Sequence, residues 1–592
     1  MQIFLLDSLF SFEIFSFLSE FYLLFFIIIL LLFCILLSES FLYSKVNTTL
    51  FGIKFSIYFF IFLFFILFNC YGFFENFNTA FLFEQNDFLF LLKIFLVLSS
   101  IFCFFMAVSY FRAEKIEFYE FSILFLLSFL GIFCLLSCTD LLSFYLSIEL
   151  QSLSFYILAS LKKDSSLSTE AGLTYFVLGA ISSGFLLLGF SFIFGFSGLT
   201  NFQDIAVFGS LKEFSIKNSF LFYFEDPSIS KNLIFYNFLL FEFFESYLSF
   251  EKFEISSLNS ILQNFYGFSF FFELSRFFEN DVQILSFFLL LGIFFSFIAI
   301  FFKLGMFPFH FWIPNVYEGV PTIITAIFSI IPKIGIFGIF LKLYFDFFIK
   351  FLVPSNPIFG IDSFFLEYLL IVSIFSIIFG SLGALYQTKI KRLYAYSAIS
   401  HVGFMGAALS LNSFNGFFAF FFYLIVYVLL NINFFLIYIN LRTFNNNLKI
   451  KKISDLQNLT KYNAVLGFCF MLNLFSMGGV PPLAGFFSKF FIFSGLLDES
   501  YFFASAIIIA FSVLGCFYYL RIVKILYYSR DDKTLILLPI SKIDSFLIIF
   551  TTLLNLSLIF YPKFYMDCAF ILTENLISNY SIENLHSLLY KI

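Results

Sequence analysis

Four ionisable residues stand inside long apolar runs: Glu149, Lys303, Lys333 and Lys489. Glu149 closes the stretch Asp140-Leu-Leu-Ser-Phe-Tyr-Leu-Ser-Ile-Glu149. Helix over that stretch rises about 14 Å, close to the middle of a bilayer. Lys333 follows Pro332, about 18 Å into its own run by the same rise. Lys303 precedes Leu304-Gly305, and Lys489 lies in Gly485-Phe-Phe-Ser-Lys489-Phe-Phe. A charge at the bilayer centre costs about 2.5–3.5 kcal/mol on insertion scales. One acid and one lysine account for a static ion pair that holds two helices together. Three lysines against one acid do not all pair that way. A lysine without a counter-ion, away from water, gives up its proton readily. A row of weakly held protons is what a proton path needs. Lys93, Arg112, Lys342 and Arg521 lie nearer the ends of their runs, where a long side chain is expected to snorkel to the interface.

Two runs are interrupted beside a lysine. One reads Lys303-Leu-Gly-Met-Phe-Pro308-Phe-His310-Phe-Trp312-Ile-Pro314, the other Gly478-Gly479-Val-Pro481-Pro482-Leu-Ala-Gly485-Phe-Phe-Ser-Lys489. Proline removes a backbone bond and kinks a helix. The freed carbonyls can hold water or protons only where they are buried in protein. The expected break residues are Pro308, Gly478, Gly479, Pro481 and Pro482. Broken helices in corresponding places of two halves mark inverted-repeat transporters. His310 and His401 are possible relay members, because histidine titrates near neutrality. A lone intramembrane histidine can equally be a hydrogen-bonded tie to a neighbouring helix.

Such residues need a membrane scaffold, and the composition supplies one. Of 592 residues, 61% are hydrophobic and 12% charged, and mean hydropathy is +1.01. Soluble domains carry about a quarter charged residues, so an all-α polytopic membrane protein is expected. A β-barrel would alternate polar and apolar positions, and these runs are continuous. Apolar runs predict fourteen helices, near 21–43, 54–73, 88–111, 118–137, 141–161, 171–198, 284–313, 321–345, 365–386, 393–411, 414–440, 463–497, 501–528 and 543–561. Helices 7 and 12 are the broken ones.

Cations mark alternate connections, with the one after helix 7 a local exception that lacks them. They include Lys45 and Lys54 after helix 1, Arg112 and Lys115 after helix 3, and Lys162 and Lys163 after helix 5. Further along stand Lys389, Lys391 and Arg392 after helix 9, Arg442, Lys449, Lys451, Lys452 and Lys461 after helix 11, and Arg530, Lys533 and Lys542 after helix 13. The opposite short loops carry Glu75, Glu84, Asp87, Asp140, Asp498 and Glu499. By the positive-inside rule both termini lie outside. The domain layout that follows has helices 1–3 over 1–117, and a first inverted repeat (helices 4–8) over 118–198 and 284–345. An outer extramembrane insertion occupies 199–283, a second repeat (helices 9–13) 365–528, and helix 14 with a C-terminal tail 529–592. The insertion reads as a partner-docking surface or as a tolerated loop expansion. The N-terminus has neither the basic region of a secretory signal nor the arginines of a transit peptide.

Net charge is −6 with no basic block, which excludes nucleic acid as an expected partner. Eight scattered cysteines and three histidines leave almost no ligands for zinc, haem or iron–sulfur groups, so no metal site is expected. The 112 phenylalanines read as generic lipid-facing and packing residues.

The stretches Lys303–Thr322, Lys391–Gly403 and Gly478–Lys489 together resemble the antiporter-like membrane subunits of respiratory complex I, NADH:ubiquinone oxidoreductase. The resemblance covers roughly 118–530. Val316-Tyr-Glu-Gly319 is nearer the subunit 2 branch than the subunit 4 and 5 branches or the Mrp antiporters. The lack of a lateral helix after helix 14 is read as arguing against subunit 5. The resemblance implies two five-helix inverted repeats and a proton-translocating role coupled to electron transfer in other subunits. It implies that Glu149 pairs with Lys303, that Lys333 is the central lysine, and that Lys489 leads to the exit side. Other membrane-arm subunits, including neighbouring antiporter-like ones, and lipids are the implied partners. NADH, FMN, iron–sulfur clusters and ubiquinone are placed in other subunits, and no cofactor site in this chain. The mitochondrial inner membrane, with an organelle-encoded chain, is the implied location, and a bacterial inner membrane the alternative. Asn315 departs from the family pattern, which has aspartate there. Two competing functions are a free-standing cation/proton antiporter, disfavoured by the single intramembrane carboxylate, and a structural subunit with static ion pairs.

Overall fold

The computed structural model describes residues 17–39, 48–70, 77–79, 83–115, 118–206, 281–345, 361–443, 449–457, 459–528 and 538–580. The architecture is helical, apart from a two-stranded hairpin of β1 (Phe77–Thr79) and β2 (Phe83–Gln85). In chain order the helices begin with α1 Leu18–Glu39, α2 Thr48–Cys70, α3 Asp87–Glu114, α4 Glu120–Ser137, α5 Leu141–Ala159 and α6 Ser166–Ser197. They continue with α7 Asp281–Leu304, α8 Trp312–Gly319, α9 Thr322–Leu343, α10 Ile361–Leu385, α11 Ile390–Leu409 and α12 Phe414–Asn440. The last six are α13 Leu459–Tyr462, α14 Ala464–Gly478, α15 Ala484–Asp498, α16 Phe502–Tyr528, α17 Lys542–Phe560 and α18 Pro562–Tyr580.

Eleven helices among the described residues are long and apolar enough to cross a membrane. Predicted helices 7, 10 and 12 are not in that set. Helix 7 is split into α7 and α8, and helix 12 into α14 and α15. Helix 10 is α11, whose Lys391, Arg392, Ser397, Ser400 and His401 lower its hydropathy while Ser397, Ser400 and His401 are buried. A helix solvated by protein, not by lipid, tolerates that polarity. The wholly buried α9 and the mostly buried α12 form the centre of the bundle. Most of the insertion, 207–280, lies outside the described residues. The tail after helix 14 contains α18, which buries Ala569, Leu572 and Leu576. Asp567, Glu574 and Asn575 interrupt its apolar residues, so hydropathy alone passes over it.

The charge alternation has a structural counterpart. Glu114, closing α3, meets Arg442 at 2.6 Å, Lys449 at 3.1 Å and Lys162 at 3.7 Å. The Ile390 N–H donates to the Lys451 carbonyl, and the Leu538 N–H to that of Arg442, both at 3.0 Å. The connections after predicted helices 3, 5, 9, 11 and 13 therefore gather at one end of the bundle. At the other, the Leu141 N–H donates to the Thr200 carbonyl at 3.0 Å, and Asn415 donates to Asp498 at 3.4 Å. Burial pushes the loop residue Lys449 down to about 8 against the pull of Glu114.

Snorkelling fits Arg112, which is exposed, but not the other three. Lys93 is wholly buried, paired with Glu20 and bonded to Gln85 Oε1 at 2.8 Å. Lys342, also wholly buried, faces Glu84 at 3.7 Å and the Ser137 carbonyl at 3.4 Å. The segment Phe83–Asn86 folds in over these helix ends and supplies the polar partners, so neither lysine reaches water. Arg521 donates to the carbonyls of Leu385, at 2.8 Å, and Gln387, closing the C-terminal end of α10. Removing one partner of a buried pair leaves an uncompensated charge. Glu20→Ala is therefore expected to cost about 3–5 kcal/mol. Thermal melting of the purified assembly checks this, and Glu20→Ala with Lys93→Met should recover most of the loss.

Candidate functional site

Each broken helix ends on a glycine in the left-handed region. Gly305 has φ +75° and Gly479 φ +86°. The Gly305 N–H donates to the Phe302 carbonyl at 3.1 Å, and the Met306 N–H to that of Phe301 at 3.0 Å. Gly479 to Ser476 and Val480 to Phe475 repeat the pattern, both at 3.0 Å. This is the Schellman stop, which needs a residue without a Cβ penalty. The breaks are thus made by glycine, while Pro308, Pro481 and Pro482 lie in the turns that follow. Gly478 is the last helical residue of α14. Trp312 Nε1 donates to the Phe302 carbonyl freed by the first break, at 2.9 Å. Lys489 Nζ donates to the Gly478 carbonyl at the second, at 2.7 Å.

Glu149, on α5, accepts from Ser152 Oγ at 3.4 Å through Oε2, while its Oε1 is buried without a protein partner. Among the described residues Lys303 Nζ, at the end of α7, is likewise buried without a hydrogen-bond partner. The two form no contact pair among the described residues. Lys303 opens into a cavity shared with Ser152, Gln151, Tyr175, Trp312 and Lys333. Buried polar groups of this kind are normally satisfied by ordered water.

Lys333, on α9, donates to the Ala398 carbonyl of α11 at 3.4 Å. Its Nζ stands 5.4 Å from the ring centroid of Tyr427 on α12. Tyr427 also lines a second cavity, with His401, Tyr423, Asn431, Ser488 and Lys489. His401 is tied by both ring nitrogens, Nδ1 to the Tyr423 hydroxyl at 2.7 Å and Nε2 to that of Tyr519 at 3.2 Å.

The fold therefore brings Lys303 and Lys333 to the wall of one cavity and His401 and Lys489 to the wall of the other, with Glu149 bonded to Ser152 of the first wall. His310 lies apart from both. Its ring lies in the first break among Phe307, Phe311 and Phe379, at 5.8, 4.6 and 6.0 Å, and lines neither cavity. The sequence reading passed over Ser152, Tyr423, Tyr427, Asn431 and Tyr519. One signal was present: Tyr423, Tyr427 and Asn431 recur every fourth residue and share a face of α12.

Residues 138–225 and 255–515 match the family model described as NADH:quinone oxidoreductase/Mrp antiporter, TM. NADH-ubiquinone oxidoreductase chain 2 of Marchantia polymorpha is 34% identical over 478 residues, 81% of either chain. NADH-quinone oxidoreductase subunit N of Pelagibacter ubique is 33% identical over 443 residues, 75% of this chain and 76% of that one. A chain of respiratory complex I from Thermus thermophilus superposes with a TM-score of 0.64 at 20% identity, covering 93% of this chain and 98% of its own.

Proposed function

The chain belongs to the family of NADH:quinone oxidoreductase and Mrp antiporter membrane subunits, and on that basis we propose that it moves protons as a membrane-arm subunit of an NADH:quinone oxidoreductase. The observation that carries this reading is the set of buried ionisable groups: Lys303 and Lys333 on the wall of one cavity, Lys489 on the wall of a second, and the Lys333–Tyr427 contact joining the two walls, with Glu149 bonded to Ser152 of the first. Relatives named for NADH:quinone oxidoreduction support that partner complex over a free-standing antiporter. In this reading the redox groups and ubiquinone belong to other subunits, neighbouring antiporter-like subunits and lipids are the partners, and the inner mitochondrial membrane is the location. α4–α9 and α10–α16 correspond to the two inverted repeats.

The cycle works by charge coupling. An ionised Glu149 favours the proton on Lys303. When that attraction weakens, the proton passes through the first cavity to Lys333. A charge arriving on Lys333 then biases the second cavity, and Lys489 releases toward the exit. At an effective dielectric near 20, two charges about 6 Å apart interact by about 3 kcal/mol, roughly a hundredfold in proton occupancy. Coupling of that size switches a lysine without direct contact. Glu149→Gln keeps the shape and removes the charge. Proteoliposomes of the assembled complex should then pump at least about tenfold more slowly. Pumping per NADH equal to wild type would sink the proposed role of Glu149.

A further inference from the structure

Lys333 meets no carboxylate among the described residues; its Nζ has one carbonyl, that of Ala398, and the face of one ring, that of Tyr427. We infer that Tyr427 is a positioning residue whose aromatic face holds the protonated form of Lys333 at the boundary between the two cavities. The inference rests on the relay reading above and deepens it. An ammonium over an aromatic face is attracted by the ring quadrupole, most strongly where water is excluded. Both groups are buried here.

The ring is fixed from several sides. The Tyr427 hydroxyl donates to the Ser329 carbonyl of α9 at 3.2 Å, one turn before Lys333. Its ring centroid lies 5.6 Å from that of His401, the two planes tilted by 52°. Tyr427 belongs to the wall of the cavity that holds Lys489, whereas Lys333 belongs to the wall of the cavity that holds Lys303. The contact between Lys333 and the Tyr427 ring joins the two walls. The face favours the ammonium more weakly than a carboxylate would, and without a negative charge that would trap the proton.

The face, and not the hydroxyl, carries the effect, so the test compares substitutions that separate the two. Tyr427→Phe keeps the face, and Tyr427→Leu removes it. Both are measured in the intact complex alongside Lys333→Met, for assembly, NADH:quinone turnover and proton pumping. Tyr427→Phe is expected to pump within about twofold of wild type, and Tyr427→Leu to fall about tenfold or more. If Tyr427→Leu disturbs assembly, Tyr427→Met replaces it with an unbranched, adaptable side chain, and the same loss is expected. Equal losses in the phenylalanine and aliphatic variants would assign the role to the hydroxyl and overturn the inference. Wild-type pumping in the aliphatic variant, with pumping lost in Lys333→Met, would overturn it while leaving the relay standing. Wild-type pumping in Lys333→Met would remove the relay itself.

Discussion

Lys333→Met is expected to leave the complex assembled and to lower proton pumping and coupled turnover about tenfold or more. Methionine matches the length of lysine and fills irregular space. The surroundings welcome it, since Phe328, Pro332 and Ile336 flank the lysine on the cavity wall. Replacing a buried, unpaired amine by an apolar group removes a desolvation penalty and leaves no acid orphaned, because Lys333 has no acid partner among the described residues. A loss of pumping therefore reports lost chemistry, not lost structure. Native gels and NADH:quinone assays on the same membranes separate the two. Wild-type rates would make Lys333 a passive resident of the bundle.

Gly485→Ala is the second large effect, and it acts on structure. A Cβ at Gly485 would stand 1.6 Å from the Ser476 carbonyl oxygen. That oxygen is backbone, so no side chain can swing aside. α14 and α15 would have to part, taking with them the Gly478 carbonyl that holds Lys489. Overpacking costs about 1–3 kcal/mol where neighbours can shift, and a backbone clash exceeds that. The expected outcome is little or no assembled complex on a native gel. Gly184→Ala is the control, because among the described residues no atom outside its own stretch of α6 lies within 4 Å of a Cβ added there. There alanine should be neutral or stabilising by up to about 1 kcal/mol. Normal assembly of Gly485→Ala would mean that the two half-helices do not approach so closely.

Much of this was legible beforehand. Glu149, Lys303, Lys333 and Lys489 stand out because charge inside a lipid-length apolar run is costly. The partners around them do not, for an equally physical reason. In a chain that is 24% aromatic, Tyr427 and Tyr423 offer no contrast until the fold shows one ring facing the Lys333 amine and the other's hydroxyl bonded to His401. Lys93 and Lys342 looked like snorkelling residues because their acidic partners, Glu20 and Glu84, come from chain distant in sequence. The first break was read from Pro308, the stronger local signal, although Gly305 ends the helix; at the second, Gly479 was among the residues read as the break and does end α14. His310 shares a motif with Lys303, yet the turn between them points its ring among phenylalanines.

The central claim is that the buried lysines act in series. The measurement that tests it most directly is the number of protons pumped per NADH oxidised in proteoliposomes carrying Lys303→Met, Lys333→Met and both together. Residues on one path fail as a unit, so the double variant should be no worse than either single one. Losses that multiply in the double variant would mean separate paths, and unchanged ratios in all three would contradict the relay altogether.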